Sequence, residues 1–145
     1  MNNARLLIPF VAVALVAPAL AAKTAVVTSL DDALKQAKEG KKLLFIQYGR
    51  EACGNCQHLR GLVGAGKVSL PKGKFVYADV NCDDRATSVA FKEKFTVAGS
   101  TLPFVVVTDS EGRQLASRAG FGDAKAYADL LAEAAKKAKT LVATK

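Results

Sequence analysis

Residues 49–61 read GREACGNCQHLRG, and the fold turns on how that stretch is read. It holds two of the chain's three cysteines, Cys53 and Cys56, directly after the apolar run KLLFIQYG (42–49). A C-x-x-C pair suits three chemistries: a redox disulfide, half of a metal site, or, with a histidine next in line, haem attachment. Haem attachment fails at once, because Gln57 stands between Cys56 and His58.

A structural zinc ion asks for four tetrahedral ligands. The chain reaches that count only with Cys53, Cys56, Cys82 and its single histidine, His58. His58 falls two residues past Cys56, about 200° away on a helix of ~3.6 residues per turn, so it points away from the pair. Copper(I) held by two thiolates stays open, since soft ligands select it. The redox reading fits the spacing best. Cysteines at i and i+3 at a helix start bring their sulfurs within bonding reach, with Cα atoms about 5.5 Å apart. Cys53 then occupies the helix N-terminus, where unpaired N–H groups and the macrodipole favour a thiolate and lower its pKa from about 8.5 toward ~3.5–7.5. Cys53 is the expected nucleophile and Cys56, one turn inside, the resolving thiol. Between them Gly54 and Asn55 are candidate substrate contacts, the glycine because it lets a substrate backbone approach the sulfur. As a static staple the pair makes little sense, because so small a loop constrains the unfolded chain weakly.

At 145 residues, half of them apolar, the chain is long enough for one domain with its own core and short for two. Its net charge of +8 comes from lysines spread along the sequence, the pattern of a solvated surface. No stretch interleaves basic and aromatic residues as single-strand binding requires, so no nucleic-acid partner is expected. Residues 1–21 read as a cleaved signal peptide: MNNAR carries one positive charge, LLIPFVAVALVAPAL is apolar, and Ala19-x-Ala21 offers small residues at the cut. The apolar run is short of the ~20 residues of a spanning helix. Export to a periplasmic or secreted location, where disulfides persist, is the expectation.

Residues 22–145 read as a single domain. TSLDDALKQAKEGK is a helix capped by Ser29 or Thr28 and ended by Gly40. The run 42–49 has the pattern of a strand buried on both faces. A second helix follows the cysteines until the glycines at 61, 64 and 66. KFVYADVNC (74–82) is a strand with Val76, Ala78, Val80 and Cys82 on one face. DDRATSVAFKEKF is a helix carrying Ala86, Val89, Ala90 and Phe91, and LPFVVVTD (102–109) pairs with RQLASRAGF as a hairpin. Asp123 caps a last helix on which Tyr127, Leu130, Leu131, Ala134, Ala138 and Leu141 make one stripe. Helices and strands in this order give an α/β domain with a central sheet.

A strand, then C-x-x-C opening a helix, then a proline starting a later strand (Pro103 in TLPF) resembles the thioredoxin superfamily over essentially the whole of 22–145. ALKQAKEGKKLLFIQYGREACGNCQHL is similar to exported thioredoxin-like domains in which an N-terminal helix leads into the active-site strand. The resemblance implies a mixed central sheet flanked by helices on both faces, with no bound organic cofactor, the cysteine pair being the redox centre. It implies a cis peptide before Pro103 and a substrate strand paired with the backbone of Leu102. Substrates would be protein thiols and disulfides, with a membrane or soluble thiol partner resetting the pair. Nothing in the helices shows a dimer seam, so a monomer is expected.

The sequence departs from thioredoxin itself at Ala52, where that family has tryptophan, at Asn55, where it has proline, and at Gln47, where it has a buried acid. An amide cannot take a proton from the second cysteine. Glu51 is a candidate substitute, though a solvated acid is the plainer reading. Cys82 reads as a small apolar filler at a strand end or, by the implied topology, as an auxiliary thiol or metal ligand at the same rim as Cys53 and Cys56. His58 reads as an exposed helix residue. The expected function is thiol–disulfide exchange, of reductase or isomerase type, on exported proteins. The competing reading is a copper(I)-delivery module using the same thiolates.

Overall fold

An edge strand that the periodicity does not announce, β1 (Val26–Val27), precedes the first helix in the computed structural model, which describes residues 25–143. The leader expected at 1–21 lies outside the described residues. The remaining elements are α1 (Leu30–Gly40), β2 (Leu43–Gly49), α2 (Gly54–Gly64), β3 (Phe75–Asn81), α3 (Arg85–Lys94), β4 (Phe104–Thr108), β5 (Gln114–Ala119) and α4 (Ala124–Ala143). The sheet runs β1-β3-β2-β4-β5, with β3 parallel to β1 and β2, β4 antiparallel to β2, and β5 closing the hairpin. Two residues suffice for β1 because Val26 and Val27 find partners in Tyr77 and Ala78; so short a segment carries too little alternation to be legible.

Ser29 caps α1 by accepting from the Asp32 amide. The helix ends at Gly40, as expected, with Lys41 as its C-cap. Gly40 is still helical, and Lys41 takes the left-handed conformation, φ 51°, with its N–H reaching the carbonyls of Ala37 and Lys38. A non-glycine residue there costs about 1 kcal/mol. The chain accepts it because Lys42 then bonds back to the Ala37 carbonyl and Leu43 enters the sheet opposite Phe75.

Alternation along the strands divides the core. On one face Leu44, Ile46, Tyr48, Val76, Ala78 and Val80 meet α1 and α3; on the other Phe45, Tyr77, Val105 and Val107 meet α2 and α4. Helices therefore cover both faces of a mixed sheet. The expected apolar face of α3 is narrower than its composition suggests. Phe91 alone is buried, stacked on Tyr48 at 4.2 Å between ring centroids, while Ala86, Val89 and Ala90 face solvent. The stripe of α4 holds at Tyr127, Leu130 and Ala134 but fades at Leu141, which is exposed. Every buried core residue lies between Leu30 and Ala134.

Candidate active site

The C-terminal end of β2 delivers the chain straight into α2, and the two cysteines sit at that junction. Cys53 is the N-cap of α2, its backbone extended, and Cys56 lies within the first turn. They form a disulfide with Cα atoms 5.2 Å apart. Cys53 is half-buried and Cys56 has no exposure at all. A partner from solution can therefore reach the first sulfur and not the second. The Cys53 sulfur also accepts a hydrogen bond from the Cys56 amide at 3.1 Å. That N–H is one of the unpaired donors of a helix start, aimed at the atom that carries the charge when the pair is reduced.

Below the disulfide the molecule is dry and fully bonded. Gln47 is completely buried; its amide nitrogen donates to the Cys56 carbonyl at 3.0 Å and its oxygen accepts from the Tyr77 hydroxyl at 3.1 Å. Burial pushes the Tyr77 phenol well above its ordinary value, so it stays a neutral donor. On β3 the register partner of Gln47 is Asp79, a largely buried carboxylate ion-paired with Arg60 of α2. The residue Gly49 was not among the expected site residues, yet it is the tightest point of the centre. A Cβ there would lie 2.7 Å from the Cys56 sulfur. Tyr77 and Gly49 could have been found from the sequence only by knowing which atoms lie beneath the sulfurs.

The Leu102–Pro103 peptide is cis, as the resemblance implies. Pro103 is buried and Leu102 half-buried at the start of β4, and Phe104 is in register with Tyr48, one residue before Gly49. Gly54 and Asn55 are both exposed on the first turn of α2. Glu51 is exposed, its carbonyl taking a hydrogen bond from Gln57. His58 is exposed with its ring 5.8 Å from that of Phe121. Cys82 lies just past β3, its N–H donating to the Gly49 carbonyl at 2.7 Å. Its side chain is half-buried, and the neighbouring Arg50 pairs with Asp83. Cys82 and Leu102 line one small cavity of about 220 Å³ with Arg50 and Lys92. The third cysteine thus lies half-buried beside Leu102 and Arg50, and is neither a closed core residue nor a freely exposed one. Among the described residues no three or more His, Cys, Asp and Glu side chains are grouped to hold a metal ion.

These elements define a thioredoxin-like fold with a C-x-x-C disulfide at the start of the helix that follows β2. Solved structures with the same fold include thioredoxins. A thioredoxin mutant from Halobacterium salinarum is 20% identical, with 72% of this chain and 84% of that chain covered at a TM-score of 0.55. Oxidised thioredoxin O2 from Arabidopsis thaliana is 16% identical, with 76% and 94% covered at 0.57. Oxidised thioredoxin from Plasmodium falciparum is 21% identical, with 75% and 96% covered at 0.54. No family model and no curated protein matches the chain.

Proposed function

We propose that the protein carries out thiol–disulfide exchange on exported proteins, with Cys53 as nucleophile and Cys56 as resolving thiol. The observation that carries this reading is the asymmetry of the pair: an accessible sulfur at a helix N-cap, hydrogen-bonded to the Cys56 amide, above a second sulfur with no exposure. In the reductive direction the Cys53 thiolate attacks one sulfur of a substrate disulfide, and the S–S bond breaks. The departing substrate thiolate takes a proton from solvent, leaving a mixed disulfide. Cys56, as thiolate, attacks the Cys53 sulfur and expels the second substrate thiolate. Two electrons have passed to the substrate, and the Cys53–Cys56 disulfide remains to be reduced by a thiol donor, soluble or membrane-bound. Leu102, Gly54 and Asn55 are the proposed backbone and side-chain contacts for the substrate, with Pro103 setting the loop.

The leader-like residues 1–21 support action in the periplasm or outside the cell, as a monomer. A reductase or isomerase role is favoured over a strong oxidant. Equilibration in glutathione buffers tests it: a potential near −270 mV marks a reductase, one near −120 mV an oxidant. A chain with no reversible two-electron transition would overturn the exchange reading. Copper(I) delivery through the same thiolates is then the alternative, and a tight one-to-one complex with the reduced chain would favour it.

Cys82 is proposed as an auxiliary thiol, on the strength of its place beside Leu102 and Arg50. With Cys56→Ser the mixed disulfide accumulates at Cys53. If Cys82 is an auxiliary resolving thiol, adding Cys82→Ser makes that species last longer; an unchanged lifetime removes Cys82 from the reaction.

A further inference from the structure

A hollow opens at the pole opposite the cysteines. It has a volume of about 730 Å³ and lies where β2 and β3 begin and α4 ends. Its floor is apolar, made by Phe75, Leu131 and Ala138, with Val142 at the lip. Its rim is cationic: Lys41, Lys42, Lys74 and Arg113. Arg113 is held by Asp109 at 2.6 Å, and the nearby Glu111 is held by Lys38. Lys41, Lys42 and Lys74 have no carboxylate within ion-pair distance among the described residues. Beside this unneutralised charge stand the only large apolar side chains exposed on α4, Val142 at 78% and Leu141 at 37%.

Chain direction adds a second, independent constraint. Strand β1 is parallel to β3, with Val26 opposite Tyr77. The backbone before Val26 therefore comes from the Lys74–Phe75 end, the same pole as the hollow. The segment that precedes it in sequence contains the apolar run LLIPFVAVALVAPAL (6–20). No described helix is long and apolar enough to cross a membrane.

We propose that this pole docks on an anionic phospholipid surface, the lysines meeting headgroup phosphates and Val142 and Leu141 entering the boundary with the acyl chains. Polar lysine heads around a small apolar patch are what an interfacial contact requires. The exposed Val142 and Leu141 beside the lysines select a lipid sheet, which offers anionic headgroups over an apolar interior. Strand β2 spans the distance between poles, seven residues at ~3.3 Å each, so Cys53 would stand about 20 Å above the lipid and face away from it. The surface is separate from the exchange chemistry and is tested separately.

The chain beginning at Ala22 keeps every buried core residue and lacks the apolar run, so its binding reports on the pole alone. It is to be floated with vesicles of phosphatidylcholine, and with vesicles half phosphatidylglycerol, at low and at high salt. Binding to the anionic vesicles alone is expected, weakening with salt. Each lysine removed lowers the partition about fivefold. The triple variant Lys41→Gln/Lys42→Gln/Lys74→Gln should thus bind on the order of 100-fold more weakly. Val142→Ser should give a smaller loss, present at all salt concentrations. Disulfide exchange in free solution should be unchanged in these variants, which also shows that they fold. Equal binding to both vesicle types, no binding to either, or a triple variant that binds like the parent would overturn the proposal. So would capture by poly-glutamate without vesicle binding, which would point to an acidic protein instead.

Discussion

The side-chain amide of Gln47 donates to the carbonyl of Cys56 at 3.0 Å, within a layer closed to solvent. An amide stands directly beneath the resolving cysteine, where a buried acid would exchange protons with it. The amide positions the first turn of α2 and holds no proton to give or take. Where Cys56 acts as the proposed resolving thiol, its proton goes to a group other than the Gln47 side chain.

The Gln47 pair with Tyr77 should be worth measuring as structure. Tyr77→Phe leaves the Gln47 oxygen buried without a donor, a cost of about 1–3 kcal/mol. Gln47→Leu instead strands the Tyr77 hydroxyl and removes the side-chain bond to the Cys56 carbonyl, and should cost at least as much. Urea unfolding of the oxidised proteins reads both; an undisturbed midpoint for Tyr77→Phe would show that the hydrogen bond contributes nothing.

Gly49→Ala should be disproportionately harmful for one methyl group. The new Cβ would fall 2.7 Å from the Cys56 sulfur, and that sulfur, bonded to Cys53, cannot swing aside. Overpacking of this kind costs about 1–3 kcal/mol. The oxidised form should lose more than the reduced form, in which the Cys56 thiol is free to turn. Thermal melts with and without reductant decide this, and equal losses in both states would count against the contact.

Cys53 should ionise as a thiolate more readily than an ordinary thiol. In a Cys56→Ser/Cys82→Ser chain, the pH dependence of alkylation should have its midpoint below about 8.5. The Cys56 amide and the start of α2 are the cause. A midpoint at or above that value would leave the N-cap geometry without an electrostatic effect.

Asp84 caps α3, accepting from the Thr87 amide at 2.7 Å. That backbone bond holds its carboxyl below the ordinary value of 3.8, with the Thr87 side chain a lesser cause. A lowered folded-state pKa means that the contribution is complete above the unfolded value and is lost as pH falls through the folded one. Asp84→Ala should lower the melting temperature at neutral pH and converge on the parent in acid below pH 3.8. Asp84→Asn, still a cap, should fall between them at neutral pH. A gap that persists unchanged into acid would assign the effect to packing.

Much of this protein was legible in its residues. The C-x-x-C spacing after an apolar run placed the disulfide on the first turn of a helix. Strand alternation at Val76, Ala78 and Val80 and the Tyr127–Leu130–Ala134 stripe located both layers of the core. Those signals are local: they depend on periods of two or 3.6 residues and on spacings of three. The two-residue β1 was not legible, since it exists only by pairing with β3. Nor was the exposure of Val89, because whether an apolar residue is covered depends on where α3 lies across the sheet.

By itself the sequence determined the helices, the longer strands and which sulfurs can bond, because these follow from neighbours a few residues apart. The tertiary structure alone decided what lies around them. Tyr77 reaches Gln47 across thirty positions of chain, Gly49 clears space for Cys56, Cys82 comes to lie beside Leu102, and basic residues of three separate segments, Lys41 and Lys42, Lys74 and Arg113, gather at the far pole. Such contacts are set by the register of the paired strands and the packing of helices over them, and no local period encodes a register.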